Sequence, residues 1–290
     1  MAGFIPDSYL YTEMLRKIST LFSVLVFCLL IQSCLTMRRS DRSAVSTFQK
    51  QNISLHTRTL NIGDRALHYA SVGADTLPTI VFIHGSPGSW SAFERYLRDP
   101  TLRSRFRIIS IDRPGYGYSD YGKALHIQQN CDLIASFIDS IKNTKPLFLV
   151  GHSLGAAIVP MLAADHPDLF RAIVILAGPL DPDAEPKEPL VKPFTKPSLR
   201  WMIPGALRQA NNEEYYFQTD ALAFKDKLPK IKCRVYVIHA ANDGMVSVKN
   251  AAYIKRTFTS AQVSDTILPR GGHYIPWNHS AYIIRVLSEL

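Results

Sequence analysis

Residues 146–162 constrain the fold more than any other stretch. The apolar run Pro146-Leu147-Phe148-Leu149-Val150 leads into Gly151-His152-Ser153-Leu154-Gly155. A helix-forming segment, Ala156-Ala157-Ile158-Val159-Pro160-Met161-Leu162, comes next. A serine between two glycines at a strand-to-helix junction is the pattern of a nucleophile elbow. The turn strains the serine backbone, and a side chain at either flanking position would strike the neighbouring strand or helix. The helix that follows aims its N-terminal N–H groups at the reacting centre. Such a serine needs a base and an oxyanion site, and both can be sought in the rest of the chain.

Upstream, the strand-like run Thr79-Ile80-Val81-Phe82-Ile83-His84 ends in Gly85-Ser86-Pro87-Gly88-Ser89. A glycine-rich turn after a strand can present a bare backbone N–H. Ser86 and Leu154, the residue after the nucleophile, are the expected oxyanion donors, both through the backbone. His84 is read as structural, pinning the glycine loop. Downstream, Arg234-Val235-Tyr236-Val237-Ile238-His239 leads to Asp243-Gly244, and a last strand at 263–268 leads to Gly271-Gly272-His273. Elbow enzymes of this kind run serine, acid, histidine along the chain. His273 is therefore the expected base and Asp243 the residue that orients it. Asp181, Asp183 and Asp265 compete for the acid role.

The chain resembles the α/β-hydrolase fold family, in the group that holds esterases, carbon–carbon bond hydrolases and cofactor-free haloperoxidases. The segments that carry the resemblance are His84-Gly85-Ser86-Pro87-Gly88, Asp112-Arg113-Pro114-Gly115-Tyr116-Gly117-Tyr118-Ser119, Gly151-His152-Ser153-Leu154-Gly155, and Asp243 with Gly272-His273. Ser86 departs from relatives that often carry an aromatic or aliphatic residue there, which leaves the backbone role intact but changes the pocket wall. The resemblance implies a serine hydrolase that forms an acyl-enzyme on a small to medium carboxylic ester, without a cofactor. Alternatives are cleavage of a carbon–carbon bond in a diketone-type substrate, and a catalytically silent ligand-binding lipoprotein. Haloalkane dehalogenases and epoxide hydrolases of this fold use an aspartate nucleophile, so a serine argues against their chemistry.

Strand-like segments near 57–62, 66–72, 79–84, 106–111, 146–150, 172–177, 234–239 and 263–268 alternate with helical stretches near 91–98, 124–142, 154–165, 247–258 and 279–289. This alternation predicts an α/β architecture: a mostly parallel eight-stranded sheet with helices on both faces, formed by residues 56–178 and 229–290. The proline-rich stretch 179–228 interrupts it. By resemblance it forms a small lid, with one helix expected from Ser198 and another capped by Asn212 ahead of Glu213-Glu214. Trp201, Tyr215, Tyr216 and Phe217 are its candidate pocket residues. The Asp112–Ser119 loop lacks the Lys-[Ser/Thr] of a phosphate loop and is read as scaffolding.

At the N-terminus, Met14-Leu15-Arg16-Lys17 precedes the apolar run Ile18–Ile31 and then Gln32-Ser33-Cys34. A basic start, an apolar run and a small residue form an export signal. A cysteine in that place resembles a bacterial lipobox, with Gln32 the poor match. The expectation is a signal over residues 1–34 starting at Met14, with Cys34 lipidated and the protein exported and held at a membrane of the bacterial cell envelope. An uncleaved anchor is the rival, although the run is short of the roughly 20 residues a span needs. Residues 35–55 read as a polar tether. The net charge of +9 comes with no dense basic block interleaved with aromatics and no zinc or dinucleotide spacing. A small-molecule substrate is expected, with no nucleic-acid partner and no metal; the oligomeric state is left open.

Overall fold

The computed structural model describes residues 13–24, 26, 35–120, 125–184, 191–200, 202–203 and 205–290. Strands β1 (His56–Ile62), β2 (Arg65–Val72), β3 (Thr79–Ile83), β4 (Arg107–Ile111), β5 (Leu147–His152), β6 (Ala172–Leu176), β7 (Arg234–Ala240) and β8 (Val263–Leu268) form one sheet in the order β1-β2-β4-β3-β5-β6-β7-β8. The pairs β1–β2 and β2–β4 are antiparallel, and every other neighbouring pair is parallel.

Strands β3, β4, β5 and β6 are buried at every position. That explains their nearly unbroken apolar runs: a parallel strand covered on both faces has no solvent side to leave polar. The edge strands β1 and β8 mix half-buried and exposed positions. Chain order reverses direction around β3, which lies between β4 and β5. At such a switch point the loops leaving the C-terminal ends of the strands splay apart and open a crevice. The His84-Gly85-Ser86 loop and Ser153 both lie there.

The α-helices that follow residue 40, in chain order, are α1 (Asp41–Gln49), α2 (Glu94–Arg98), α3 (Pro100–Arg105), α4 (Ile127–Ile141), α5 (Leu154–Asp165), α6 (Val191–Thr195), α7 (Pro197–Arg200), α8 (Gly205–Phe224), α9 (Lys249–Thr257), α10 (Ile275–Asn278) and α11 (Ser280–Ser288). One apolar cluster joins α4, α5 and α9 to one face of the sheet, and a second joins α1, α2, α3 and α11 to the other.

Two expectations are corrected. The stretch 35–55 is not simply a polar tether. It contains α1, whose Ala44 and Phe48 are fully buried in the second cluster; burying Phe48 alone contributes about 2 kcal/mol. The sparse apolar residues recur on one helical face, a weak pattern in so short a segment. Nor does Asn212 cap a helix. It is buried inside the 20-residue α8. That helix begins at Gly205, with φ +52°, where the Ala206 N–H donates to the Leu35 carbonyl. A helix expected from Ser198 is the short α7.

Residues 13–24 are helical, and among the described residues no helix is long and apolar enough to cross a membrane. Cys34 and Trp201 lie outside the described residues.

Candidate active site

Ser153 joins β5 to α5 with φ 53° and ψ −129°. A side-chain-bearing residue at positive φ is strained and persists only where its surroundings over-determine it. Here the Ser153 N–H donates to the Leu176 carbonyl at 3.0 Å. A Cβ on Gly151 would sit 2.5 Å from the Gly155 carbonyl oxygen, and one on Gly155 would run into the carbonyls of Ile83 and His84. The glycines are therefore required by close packing of α5 against β3 and β5.

The loops after β7 and β8 bring Asp243 and His273 to this serine. His273 Nε2 lies 2.9 Å from Ser153 Oγ, and His273 Nδ1 lies 3.0 Å from Asp243 Oδ2. An ionised carboxylate only accepts, so Nδ1 carries the proton and Nε2 is left to accept from the serine hydroxyl. The Asp243 carboxylate has no exposed surface. Its Oδ1 accepts from the N–H groups of Met245, at 2.9 Å, and Val246, at 3.0 Å. Burial opposes its charge, but hydrogen bonds from His239, His273, Val246 and Met245 outweigh that and hold the carboxyl well below the usual range. Two of the three competing acids are engaged elsewhere. Asp181 accepts from the Asp183 N–H, and Asp265 pairs with Lys255 at 2.9 Å.

Two histidines that sequence reading did not place in the site support it. Buried His239 brings Nε2 within 3.3 Å of Asp243 Oδ2 and 3.1 Å of the Val246 carbonyl. His152 Nε2–H donates to the His273 carbonyl at 2.9 Å. Burial, and then the nearby His273, push the His152 imidazole down to about 3, so it stays neutral. His239 lies one residue before the end of β7 and four before Asp243, and His152 is the variable position of the elbow; those positions were the only signal. Trp277 meets the His152 ring edge-on at 5.3 Å, and Tyr274 and Trp277 are 57% and 40% exposed, an aromatic rim beside His273.

The Ser86 loop borders Ser153, since a Cβ on Gly85 would lie 2.7 Å from Ser153 Cβ. Among the described residues neither the Ser86 nor the Leu154 N–H donates a hydrogen bond. His84 pins this loop: its Nδ1–H donates to the Gly85 carbonyl at 2.7 Å, and its Nε2 accepts from the Arg113 N–H at 3.0 Å. Burial, and then the charge of Arg113, hold His84 well below its ordinary value, hence neutral.

Arg113 is the largest polar side chain buried here. It donates to the His84 carbonyl at 2.7 Å, the Gly85 carbonyl at 3.2 Å and Ser86 Oγ at 2.6 Å. It also forms a two-pronged pair with Glu213 of α8 at 2.7 and 3.0 Å. The Tyr116 hydroxyl donates to Glu213 at 2.6 Å. The Asp112–Ser119 loop thus acts as scaffolding; Asp112 itself accepts from the Trp90 and Tyr118 N–H groups and from His68.

The described candidate aromatics of the 179–228 insertion go elsewhere. Tyr215 is 45% exposed, Tyr216 stacks on His126 at 4.1 Å, and Phe217 is sunk in the core cluster with Ala221 and Phe224. Glu213, read in the sequence only as a residue following the expected Asn212 cap, reaches the Ser86 loop from α8.

A family model described as alpha/beta hydrolase fold matches residues 78–205. The 2-hydroxy-6-oxo-6-phenylhexa-2,4-dienoate hydrolase from Rhodococcus sp. strain RHA1 superposes with a TM-score of 0.65 at 19% identity, over 82% of this chain and 98% of that one. The chain has the α/β-hydrolase fold. Among curated relatives of this hydrolase-fold chain, mouse epoxide hydrolase 3 is 31% identical over 119 residues, which is 39% of this chain and 31% of that protein. Pyrrolizixenacetamide deacetylase from Xenorhabdus hominickii is 32% identical over 120 residues, 41% of this chain and 44% of that one. In both, the matched segment spans less than half of the relative.

Proposed function

We propose that this chain is a serine hydrolase that cleaves a small to medium carboxylic ester through an acyl-enzyme. The observation that carries the reading is the series Ser153–His273–Asp243, with His273 Nε2 toward the serine hydroxyl and Nδ1 toward the carboxylate. His273 takes the Ser153 proton as Oγ attacks the carbonyl carbon, and then returns it to the leaving alcohol. Water attacks the acyl group in the second half, with the same imidazole as base. Asp243 stabilises the imidazolium formed in each half. The unpaired N–H groups of Ser86 and Leu154 are the expected donors to the oxyanion.

A serine also separates this site from the chemistry named for the epoxide hydrolase relative. A carboxylate that opens an epoxide leaves an ester, which water can cleave. Serine would leave an ether, which this machinery has no means to release. The exposed Tyr274 and Trp277 favour a substrate with an apolar acyl or aromatic group.

Labelling with a fluorophosphonate probe, beside turnover of short nitrophenyl esters and ring-fission diketones, tests the proposal. Label on Ser153 with ester turnover is the expected result. Turnover of the diketones alone would move the reaction to a carbon–carbon bond, and folded protein with neither label nor turnover would leave a binding module.

We further propose that the chain is held at a membrane through Cys34. The apolar run before it and the basic Arg38, Arg39 and Arg42 after it support this. The Leu35 carbonyl accepts from the Ala206 N–H in the first turn of α8. Mass spectrometry of the mature N-terminus tests it: a lipid on Cys34 supports the attachment, and an unmodified Met14 with the apolar run retained replaces it by an anchor.

A further inference from the structure

We infer that Glu213 of the lid helix is a positioning residue for the Ser86 N–H, so that the oxyanion donor is set correctly only while the lid is seated. The inference rests on the serine hydrolase reading and extends it from the triad to the lid.

The argument begins with one peptide unit. The Gly85 carbonyl and the Ser86 N–H belong to the same planar trans amide, so fixing the oxygen fixes the direction of the N–H on the opposite side. Two donors hold that oxygen: His84 Nδ1–H at 2.7 Å and Arg113 Nη2–H at 3.2 Å. The Ser86 hydroxyl is held as well. It accepts from Arg113 Nη2 at 2.6 Å and donates to Glu213 Oε2. The Gly85–Ser86 amide and the Ser86 side chain thus both lead to Arg113, and through it to Glu213.

The guanidinium of Arg113 has no exposed surface, and Glu213 is the only carboxylate the described contacts give it. Glu213 lies on α8, 100 residues further along the chain. With α8 seated, the fork of Arg113 is locked in one plane by a bidentate pair, and that plane aims its remaining donors at the Gly85 carbonyl and Ser86 Oγ. With α8 displaced, the guanidinium loses its counter-charge and its fixed plane, and the Gly85–Ser86 amide loses one of two anchors. The serine at position 86, where an apolar side chain would suffice for a backbone donor, fits this arrangement because its hydroxyl bridges the pair to the loop.

Steady-state ester kinetics and fluorophosphonate labelling rates test the inference on wild type, Glu213→Gln, Ser86→Ala and the double variant, with a thermal unfolding midpoint for each. Misplacing a reacting geometry by about 1 Å can cost on the order of 100-fold. Glu213→Gln should lower kcat and the labelling rate about 10- to 100-fold, with KM changed less than about threefold. Ser86→Ala, which keeps the backbone N–H, should lower kcat by a smaller factor. The double variant should lose less than the product of the two, because both act through one chain of contacts.

A folded Glu213→Gln that keeps wild-type kcat and loses only thermal stability would overturn the inference. If Glu213→Gln does not fold, Ser86→Ala and Tyr116→Phe decide it, since both leave the Arg113–Glu213 pair in place. A kcat loss in these two, with KM held, supports the coupling, and unchanged kcat in both refutes it. Wild-type protein that neither turns over esters nor takes the label would instead overturn the serine hydrolase reading, and this proposal with it, before any variant is compared.

Discussion

At the C-terminal end of the parallel strands, Ser153, Asp243 and His273 sit on the loops that leave β5, β7 and β8. Each is fixed by main-chain bonds: Ser153 by the Leu176 carbonyl, Asp243 by two N–H groups, and His273 by the His152 bond to its carbonyl. The 179–228 insertion is held differently. Its short helices α6 and α7 and the longer α8 have no place in the sheet. The α8 helix docks through side chains: the Arg113–Glu213 pair, Asp220 accepting from His126 and the Ile127 N–H, and Phe217, Ala221 and Phe224 in the core. The difference teaches that the two regions should fail in different ways. Damage at the strand ends should remove chemistry and spare the fold, whereas damage at the lid's buried pair should cost stability and chemistry together.

The largest expected effect lies at the strand ends. Ser153→Ala should lower ester turnover by on the order of 10⁴- to 10⁶-fold with an unchanged unfolding midpoint. Retention of more than about a tenth of the activity would break the contrast at its root. Next, Asp243→Asn should cost about 10⁴-fold, because the amide can no longer hold His273 in the required tautomer. Asp181→Asn, far from His273 by its contacts, should cost little, and the reverse ranking in kcat would reassign the acid.

The lid should respond in stability. Glu213→Ala leaves the Arg113 charge buried without a partner and should destabilise by about 3–5 kcal/mol in urea unfolding. Tyr215→Ala, at an exposed position on the same helix, should stay within about 0.5 kcal/mol. Equal losses at the two positions would mean that α8 is held by general packing and not by the pair.

The smallest effect separates the N-terminal segment from both regions. His68 is buried, which alone would lower its affinity for a proton, but hydrogen bonds and charge from Asp112 and Asp41 outweigh burial and raise it above the ordinary value. Asp41 opens α1, so the charged His68 ties α1 to the Asp112 loop. A raised value means the contribution is full below about pH 6.5 and is lost as pH rises through the folded value. Amide exchange in α1 should therefore quicken from pH 6 to pH 9 relative to α5, and His68→Gln should flatten that difference. The depressed Asp243 carboxyl works in the opposite sense: its contribution is present above about pH 4 and is lost on acidification below that.

The strands were legible because buried parallel strands must be apolar at every position, and runs such as 79–83 and 172–176 carry that demand in consecutive residues. The elbow was legible for a similar reason: its geometry excludes side chains at Gly151 and Gly155, and that exclusion is written locally. His239 and His152 were harder to see, because a histidine at a strand end has the same local pattern whether it props a carboxylate or only fills space. The polar reading of 35–55 failed because a nine-residue helix with two buried side chains has too few turns to show a periodicity.

The sequence by itself determined the alternation of strand and helix, the order serine–aspartate–histidine, and the glycines that let the serine turn. Each follows from the conformations available to residues adjacent in the chain. Only the tertiary structure decided that Glu213 faces Arg113, that Tyr216 stacks on His126 instead of the triad, and that Leu35 bonds to the lid. Those pairings join segments from tens of residues to more than a hundred apart. Their choice depends on which surfaces the folded sheet brings together and on where a buried charge can find its counter-charge, neither of which is encoded in local spacing.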